Sequence, residues 1–179
     1  MSKKVLVVSS SLRKESNSEI LADSLIRGAV KSGHEVEKVT LRDKSIGFCK
    51  GCLACQKTGR CVISDDAVEI AEKMLKAEVV VFATPIYYYE MSGQMKTVLD
   101  RANPLFGAEY SFGDIYLLAT AADDDEHAVD GAKKGLEGWI SCFERARLAD
   151  VVFAGGVDKQ GEIKGHPAEK EAYQLGLNI

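Results

Sequence analysis

Short apolar runs alternate with stretches of helical periodicity along the whole chain, and no other feature limits its fold so strongly. Residues 5–8, 79–83, 115–119 and 151–154 are apolar runs of four or five residues, the first of them β-branched. Serines bound the first, Thr84-Pro85 ends the second and Gly155-Gly156 follows the last, as suits strands buried on both faces of a parallel sheet. Residues 35–41 alternate apolar and polar side chains instead, which predicts a partly exposed edge strand. Between the runs lie helical stripes. Leu21, Leu25 and Gly28 share one face, opened by Ser16 three residues before Glu19, a capping-box spacing, and closed by Gly33. Val68, Ala71 and Leu75 form another, with Asp66 three before Glu69. Met91, Met95, Val98, Leu99 and Ala102 form a third. Ala128, Ala132, Leu136, Trp139, Ile140 and Phe143 mark a long helix, and Pro167 opens a terminal one.

Repeated strand–helix alternation predicts an α/β, doubly wound, five-stranded parallel sheet with helices on both faces and right-handed crossovers. The flavodoxin-like order 2-1-3-4-5 suits five strands. With 179 residues, one domain over 1–179 is expected, with a cysteine-rich loop at about 47–64. A formal net charge of -4 argues against a nucleic-acid binder or an anionic-membrane binder. No apolar run approaches the roughly 20 residues that span a bilayer. The first run is too short for the core of a secretion signal, so a cytoplasmic protein is expected. There thiols stay reduced, and structural disulfides explain five cysteines poorly.

In such sheets ligands sit beyond the carboxyl ends of the strands, which directs attention to residues 9–18, 84–92 and 120–126. The first segment joins a buried strand to a helix N-terminus, where free N–H groups and the helix dipole favour a phosphate. Ser11, Ser16, Ser18 and Asn17 add donors, and Arg13 adds a planar cationic fork. Both G-x-x-x-x-G-K-[ST] and G-x-G-x-x-G are absent, so the loop points to a monophosphate such as that of FMN. In the second segment, Pro85 stiffens a turn carrying Tyr87, Tyr88 and Tyr89. Three consecutive tyrosines cannot all face one core, and an aromatic wall beside backbone donors suits a flat isoalloxazine ring. The acidic run 123–125 reads as the start of the long helix, where carboxylates favour the dipole.

Cys49, Cys52, Cys55 and Cys61 fall within thirteen residues at a C-x2-C-x2-C-x5-C spacing. Two-residue spacers let successive sulfurs face one centre, and Gly51 and Gly59 free the loop to fold around it. A [4Fe–4S] cluster, a zinc ion, or unligated or oxidised thiols all satisfy this pattern. Cys142 lies on the stripe of the long helix and reads as a buried, inert thiol. His34, His127 and His166 show no ligand spacing.

The chain resembles the NADPH-dependent FMN reductase family in Ser9-x-Ser11-x-Arg13 with Asn17-Ser18, in Thr84-Pro85-Ile86-Tyr87, and in Gly93-Gln94-Met95-Lys96 with Asp100-Arg101. Adding the four cysteines and Val62-Ile63-x-Asp65-Asp66, it is most similar to the iron–sulfur flavoprotein branch. The resemblance implies that Ser9, Ser11, Arg13, Ser16, Asn17 and Ser18 hold the phosphate and ribityl end of FMN. It implies that Pro85, Ile86, Tyr87 and Tyr88 border the ring, and that the protein is at least a homodimer. Many members have glycine where Ser10 and Glu15 stand, and glycines where the 120–126 loop has none.

The expected function is an FMN-dependent oxidoreductase that passes electrons between NAD(P)H or a reduced partner and an acceptor, with a [4Fe–4S] cluster on the route. Hydride transfer needs no general acid or nucleophile, so no catalytic side chain is named. The rival readings are a non-enzymatic electron carrier for ferredoxin-like partners and a thiol-based redox or metal sensor.

Overall fold

The computed structural model describes residues 1–179. The chain runs β1 (Lys4–Ser9), α1 (Asn17–Lys31), β2 (Glu35–Thr40), α2 (Ala54–Thr58), α3 (Asp66–Lys76), β3 (Val79–Tyr87), β4 (Glu90–Met91), α4 (Gly93–Arg101), β5 (Asp114–Thr120), α5 (Asp130–Ile140), β6 (Arg147–Ala154) and α6 (Pro167–Leu177). Short 3-10 turns occupy Asn103–Leu105 and Glu126–Val129.

The sheet order is β2-β1-β3-β5-β6, with all four pairings parallel. This is the expected flavodoxin-like order of five strands. The one addition is β4, a two-residue strand that turns back antiparallel on the end of β3. The pleat sends alternate side chains to opposite faces, as the period of two requires. Leu6, Val8, Val80, Phe82, Ile115 and Leu117 pack with side chains of α3, α4 and α5. Val5, Val7, Val79, Val81 and Leu118 pack with α1 and α6. Strands buried on both faces explain why their sequences read as unbroken apolar runs rather than alternating ones.

Three boundaries differ from the sequence reading. β3 does not stop at Thr84-Pro85 but continues to Tyr87. β1 ends at Ser9 opposite Ala83 and β4 pairs only with Ile86 and Tyr87, so Thr84 and Pro85 are paired on the β5 side alone. Pro85 therefore occupies an edge position, where a missing N–H is tolerated. The cap of α3 is Asp65, whose side chain accepts from the Ala67 N–H, and not Asp66. The long helix expected over 128–143 divides into the 3-10 turn and α5, which ends at Ile140. α1 is capped as expected, with Ser16 Oγ accepting from the Glu19 N–H at 3.2 Å. Gly33 follows its end at φ +86°, a left-handed conformation that glycine takes without a Cβ penalty. No helix is long and apolar enough to cross a membrane.

Candidate functional site

The carboxyl ends of β1, β3 and β5 meet the N-terminus of α1 in a pocket of about 140 Å³. Ser11, Arg13, Ser16, Asn17 and Ser18 form one side. Pro85, Ile86 and Tyr87 form the second, and Thr120, Ala121 and Ala122 the third. Val157, Asp158 and Gln160, from the loop after β6, complete the lining. The volume suits a phosphate-and-polyol end rather than a whole drug-sized ligand, whose pockets run to several hundred Å³. The donor set fits such an end: hydroxyls, an amide and a guanidinium beside the first N–H groups of a helix, which have no partner inside the helix.

Eight of the ten residues expected to bind the cofactor line this one pocket. Ser9 and Tyr88 do not. Ser9 is fully buried within β1, paired in register with Thr40 and Ala83, and its Oγ has no partner. Tyr88 stands fully exposed at φ +50° in the turn after β3. The 120–126 loop does reach the pocket, through three small residues at its start. Side chains no larger than threonine let that backbone come close without glycine. The wall from 157 to 160 had no sequence signal, because it contributes chiefly by position. Its backbone is fastened to the first loop: Arg13 Nη1 donates to the Asp158 carbonyl at 3.2 Å, and Asn17 Nδ2 to the Lys159 carbonyl at 3.0 Å.

The two departures from glycine in the first loop have structural counterparts. Ser10 lies beneath the pocket, where its Oγ shares a hydrogen bond of 2.8 Å with Ser92 Oγ. Thr84 Oγ1 donates to the same Ser92 oxygen and accepts from the Ser92 N–H. This buried network binds the loop after β1 to the turn after β3. Glu15 adopts φ +46°, the left-handed region that a glycine enters freely and a glutamate enters at a cost.

Tyr89, also left-handed at φ +62°, donates its hydroxyl to the Asp123 carboxylate at 2.8 Å. The bond joins the turn after β3 to the loop after β5, so two walls of the pocket are tied on their outer side. It raises the pKa of the tyrosine. The Asp125 N–H first, and then the Tyr89 hydroxyl, hold Asp123 below the ordinary carboxylate range.

The cysteine loop forms a second feature. Cys49, Cys52, Cys55 and Cys61 all line one cavity of about 470 Å³, with Leu99, Phe106, Trp139 and Phe143 among its apolar walls. Cys55 is buried, Cys61 half-buried, and Cys49 and Cys52 exposed. No three His, Cys, Asp or Glu side chains are gathered as a ready ligand group for a metal ion. Gly51 and Gly59 take positive φ, as a loop bending round a centre requires. Cys142 corrects the sequence reading: it is exposed and lines the same cavity, because α5 ends two residues before it.

Two side chains bear on the thiols. Asn103 Nδ2 donates to Cys55 Sγ at 3.0 Å. Arg101 is 2% exposed, makes a bidentate pair with Asp65, and keeps a buried Nε without a partner. Burial alone would raise the Asp65 pKa, but hydrogen bonds from Arg101 and from the Gly47 and Ala67 N–H groups hold it below the usual value. Asp65 in turn raises the Arg101 pKa, and Cys61 lies near enough to contribute. In donor type, though not in convergence on one point, four thiols lining one cavity with a neutral donor, a buried cation and apolar walls match what an iron–sulfur cluster takes.

The model of the NADPH-dependent FMN reductase family matches residues 3–134. An iron–sulfur flavoprotein of Archaeoglobus fulgidus is 37% identical over 183 residues, covering 98% of this chain and 78% of its own. One of Methanocaldococcus jannaschii is 36% identical over 102 residues, covering 57% of this chain and 53% of its own, so the match spans about half that relative. Among solved structures, an NAD(P)H:quinone oxidoreductase from Methanothermobacter marburgensis superposes with a TM-score of 0.78 at 15% identity, over 99% of this chain and 96% of its own. At that identity the superposition speaks for the fold.

Proposed function

The chain belongs to the NADPH-dependent FMN reductase family, in its iron–sulfur flavoprotein branch, and from that premise we propose an FMN-dependent oxidoreductase that passes electrons between NAD(P)H or a reduced partner and an acceptor by way of a [4Fe–4S] cluster. One observation carries the reading. Ser11, Ser16, Asn17 and Ser18 converge with Pro85, Ile86 and Tyr87 on a single pocket at the carboxyl edge of the central strands.

Bound FMN accepts two electrons as hydride or releases them singly, which lets it join a two-electron donor to one-electron acceptors. The chain supplies position and electrostatics. The α1 N-terminus and its hydroxyls grip the phosphate, with Arg13 offsetting its charge. Pro85 and Ile86 exclude water from one side of the ring, and Tyr87 gives an aromatic border. The hydroxyl network under Ser92 fixes these walls relative to each other. Cys49, Cys52, Cys55 and Cys61 would hold the cluster, which would supply one-electron chemistry, with the Asn103 amide donating to Cys55 and the Arg101 cation buried at the stems of the loop.

The working unit is a homodimer. Tyr87, Tyr88 and Tyr89 are exposed in succession beside a pocket too small for the whole cofactor, and a second copy covering them would complete the ring site. A carrier reading has one observation in its favour: Cys49 and Cys52 are exposed, which would leave the cluster open to one-electron partners.

Anaerobically purified protein tests these readings together. The account predicts iron and acid-labile sulfide in equal amounts, with bleaching of the flavin by NADH or NADPH. Bleaching by reduced ferredoxin alone favours the carrier. Zinc in place of iron removes the cluster from the account.

A further inference from the structure

Both stems of the cysteine loop converge on one side chain. Arg101 Nη1 donates to the Gly47 carbonyl at 2.7 Å, two residues before Cys49. Arg101 Nη2 donates to the Ile63 carbonyl at 3.0 Å, two residues after Cys61. The same two nitrogens grip Asp65 at 2.7 and 2.8 Å, and Asp65 accepts from the Gly47 N–H at 2.8 Å. Four of the five guanidinium hydrogens are thereby engaged, and the Nε–H, buried and unpartnered, is the fifth. An orphaned donor this deep is costly unless a group not yet in place receives it. Two residues further along, Asn103 gives its amide to Cys55 Sγ at 3.0 Å.

We propose that Arg101 and Asn103, at and just after the C-terminal end of α4, are the positioning residues that close the cysteine loop around its cluster and raise the cluster's reduction potential, Asn103 through its hydrogen bond to the Cys55 sulfur and Arg101 through the buried cation and fork it sets between the two stems of the loop. The inference rests on the cluster reading above. The step concerned is uptake of one electron by the cluster, with no bond made or broken. Reduction adds a negative charge that spreads onto the sulfurs, and a neighbouring donor or cation stabilises the reduced state more than the oxidised one. Arg101 also matters mechanically. Its fork spans the two stems, so the entry and exit of a loop carrying all four ligands are held by one residue of a packed helix.

A dithionite-poised titration of the cluster, followed by electron paramagnetic resonance, reads the effect apart from any turnover. Asn103→Leu removes the donor, and Asn103→Asp keeps the shape but presents an acceptor. In Asn103→Leu the reduced-to-oxidised ratio at a fixed ambient potential is expected to fall about tenfold, which is about 59 mV for a one-electron couple. Asn103→Asp is expected to fall further, and Asn103→Gln, which keeps an amide, to recover part of the loss. Arg101→Lys keeps the charge beside Asp65 but not the fork. It is expected to lose iron to a chelator several-fold faster than wild type. Loading of Asn103→Gln where both Asn103→Leu and Asn103→Asp stay empty also supports a required donor. Loaded Asn103 variants with the wild-type potential overturn the proposal and leave the cluster standing. Wild-type protein that takes up no iron and sulfide on anaerobic reconstitution overturns the cluster reading and this proposal with it.

Discussion

The Tyr89 hydroxyl donates to the Asp123 carboxylate at 2.8 Å, tying the turn after β3 to the loop after β5 outside the cofactor pocket. The tie lies on the surface and touches no lining residue of the first wall directly, so its effect reaches FMN through the spacing of the walls. Tyr89→Phe is expected to weaken FMN binding by about two- to threefold, as read by fluorescence titration, with the fold's Tm little changed. Asp123 has a depressed pKa, so the tie is present above the ordinary carboxylate range and is lost as pH falls through the folded-state value. The difference between wild type and Tyr89→Phe is therefore constant around neutrality and vanishes in acid.

Ser16 serves two purposes, capping α1 and lining the phosphate end of the pocket. Ser16→Ala is expected to cost about 1 kcal/mol of stability from the lost cap. It is also expected to weaken FMN more than riboflavin, since only FMN has the phosphate. Parallel titrations with the two flavins check this. Equal losses would assign Ser16 to the helix alone.

Asp65 and Arg101 are a nearly buried pair, with side chains 12% and 1% exposed. Asp65→Asn leaves the guanidinium without its counter-charge and is expected to cost about 3 kcal/mol at about pH 7. The Asp65 pKa is depressed below 3.8, so its contribution is present above the unfolded value and is lost as pH falls through the folded one. Urea unfolding of wild type and Asp65→Asn is expected to converge as pH drops below about 4.

Gly28 of α1 and Gly176 of α6 sit where the two helices touch backbone to backbone. A Cβ on Gly28 would collide with the Tyr173 carbonyl and lie 2.9 Å from the Leu177 nitrogen, while one on Gly176 would collide with the Leu25 carbonyl. Neither neighbour is a side-chain end that can swing away. Gly28→Ala and Gly176→Ala are each expected to destabilise by about 1–3 kcal/mol. Gly138 of α5 has open space around it, and Gly138→Ala is expected to stabilise by about 0.5–1 kcal/mol. Thermal unfolding of the three variants separates close approach from mere helix propensity.

The fold was legible because buried strands and capped helices leave local marks. Runs such as Val79 to Ala83 and the Ser16 cap are readable without knowing what they touch. The pocket was legible on its first two walls for the same reason, since donors and aromatics cluster in sequence at residues 11–18 and 85–87. Its last wall was not, because Val157, Asp158 and Gln160 contribute by backbone placement that only the Arg13 and Asn17 bonds to the 158 and 159 carbonyls reveal. Pro85 misled about the end of β3, since its effect depends on whether a neighbouring strand is present. Cys142 misled in the same way: its burial turned on where α5 stops, and helix ends are weakly marked when no glycine or proline follows. The Arg101 fork joins residues 47, 63, 65 and 101, which no single stretch of sequence brings together.

Binding of FMN at the carboxyl edge of β1, β3 and β5 is the claim on which the rest depends. Calorimetric titration of flavin-free protein with FMN tests it most directly. The account predicts one saturable site per chain, with flavin fluorescence quenched in step and the affinity reduced in Ser16→Ala and Ser18→Ala. Absence of any heat and unquenched flavin at saturating concentration, in protein shown to be folded, would contradict it.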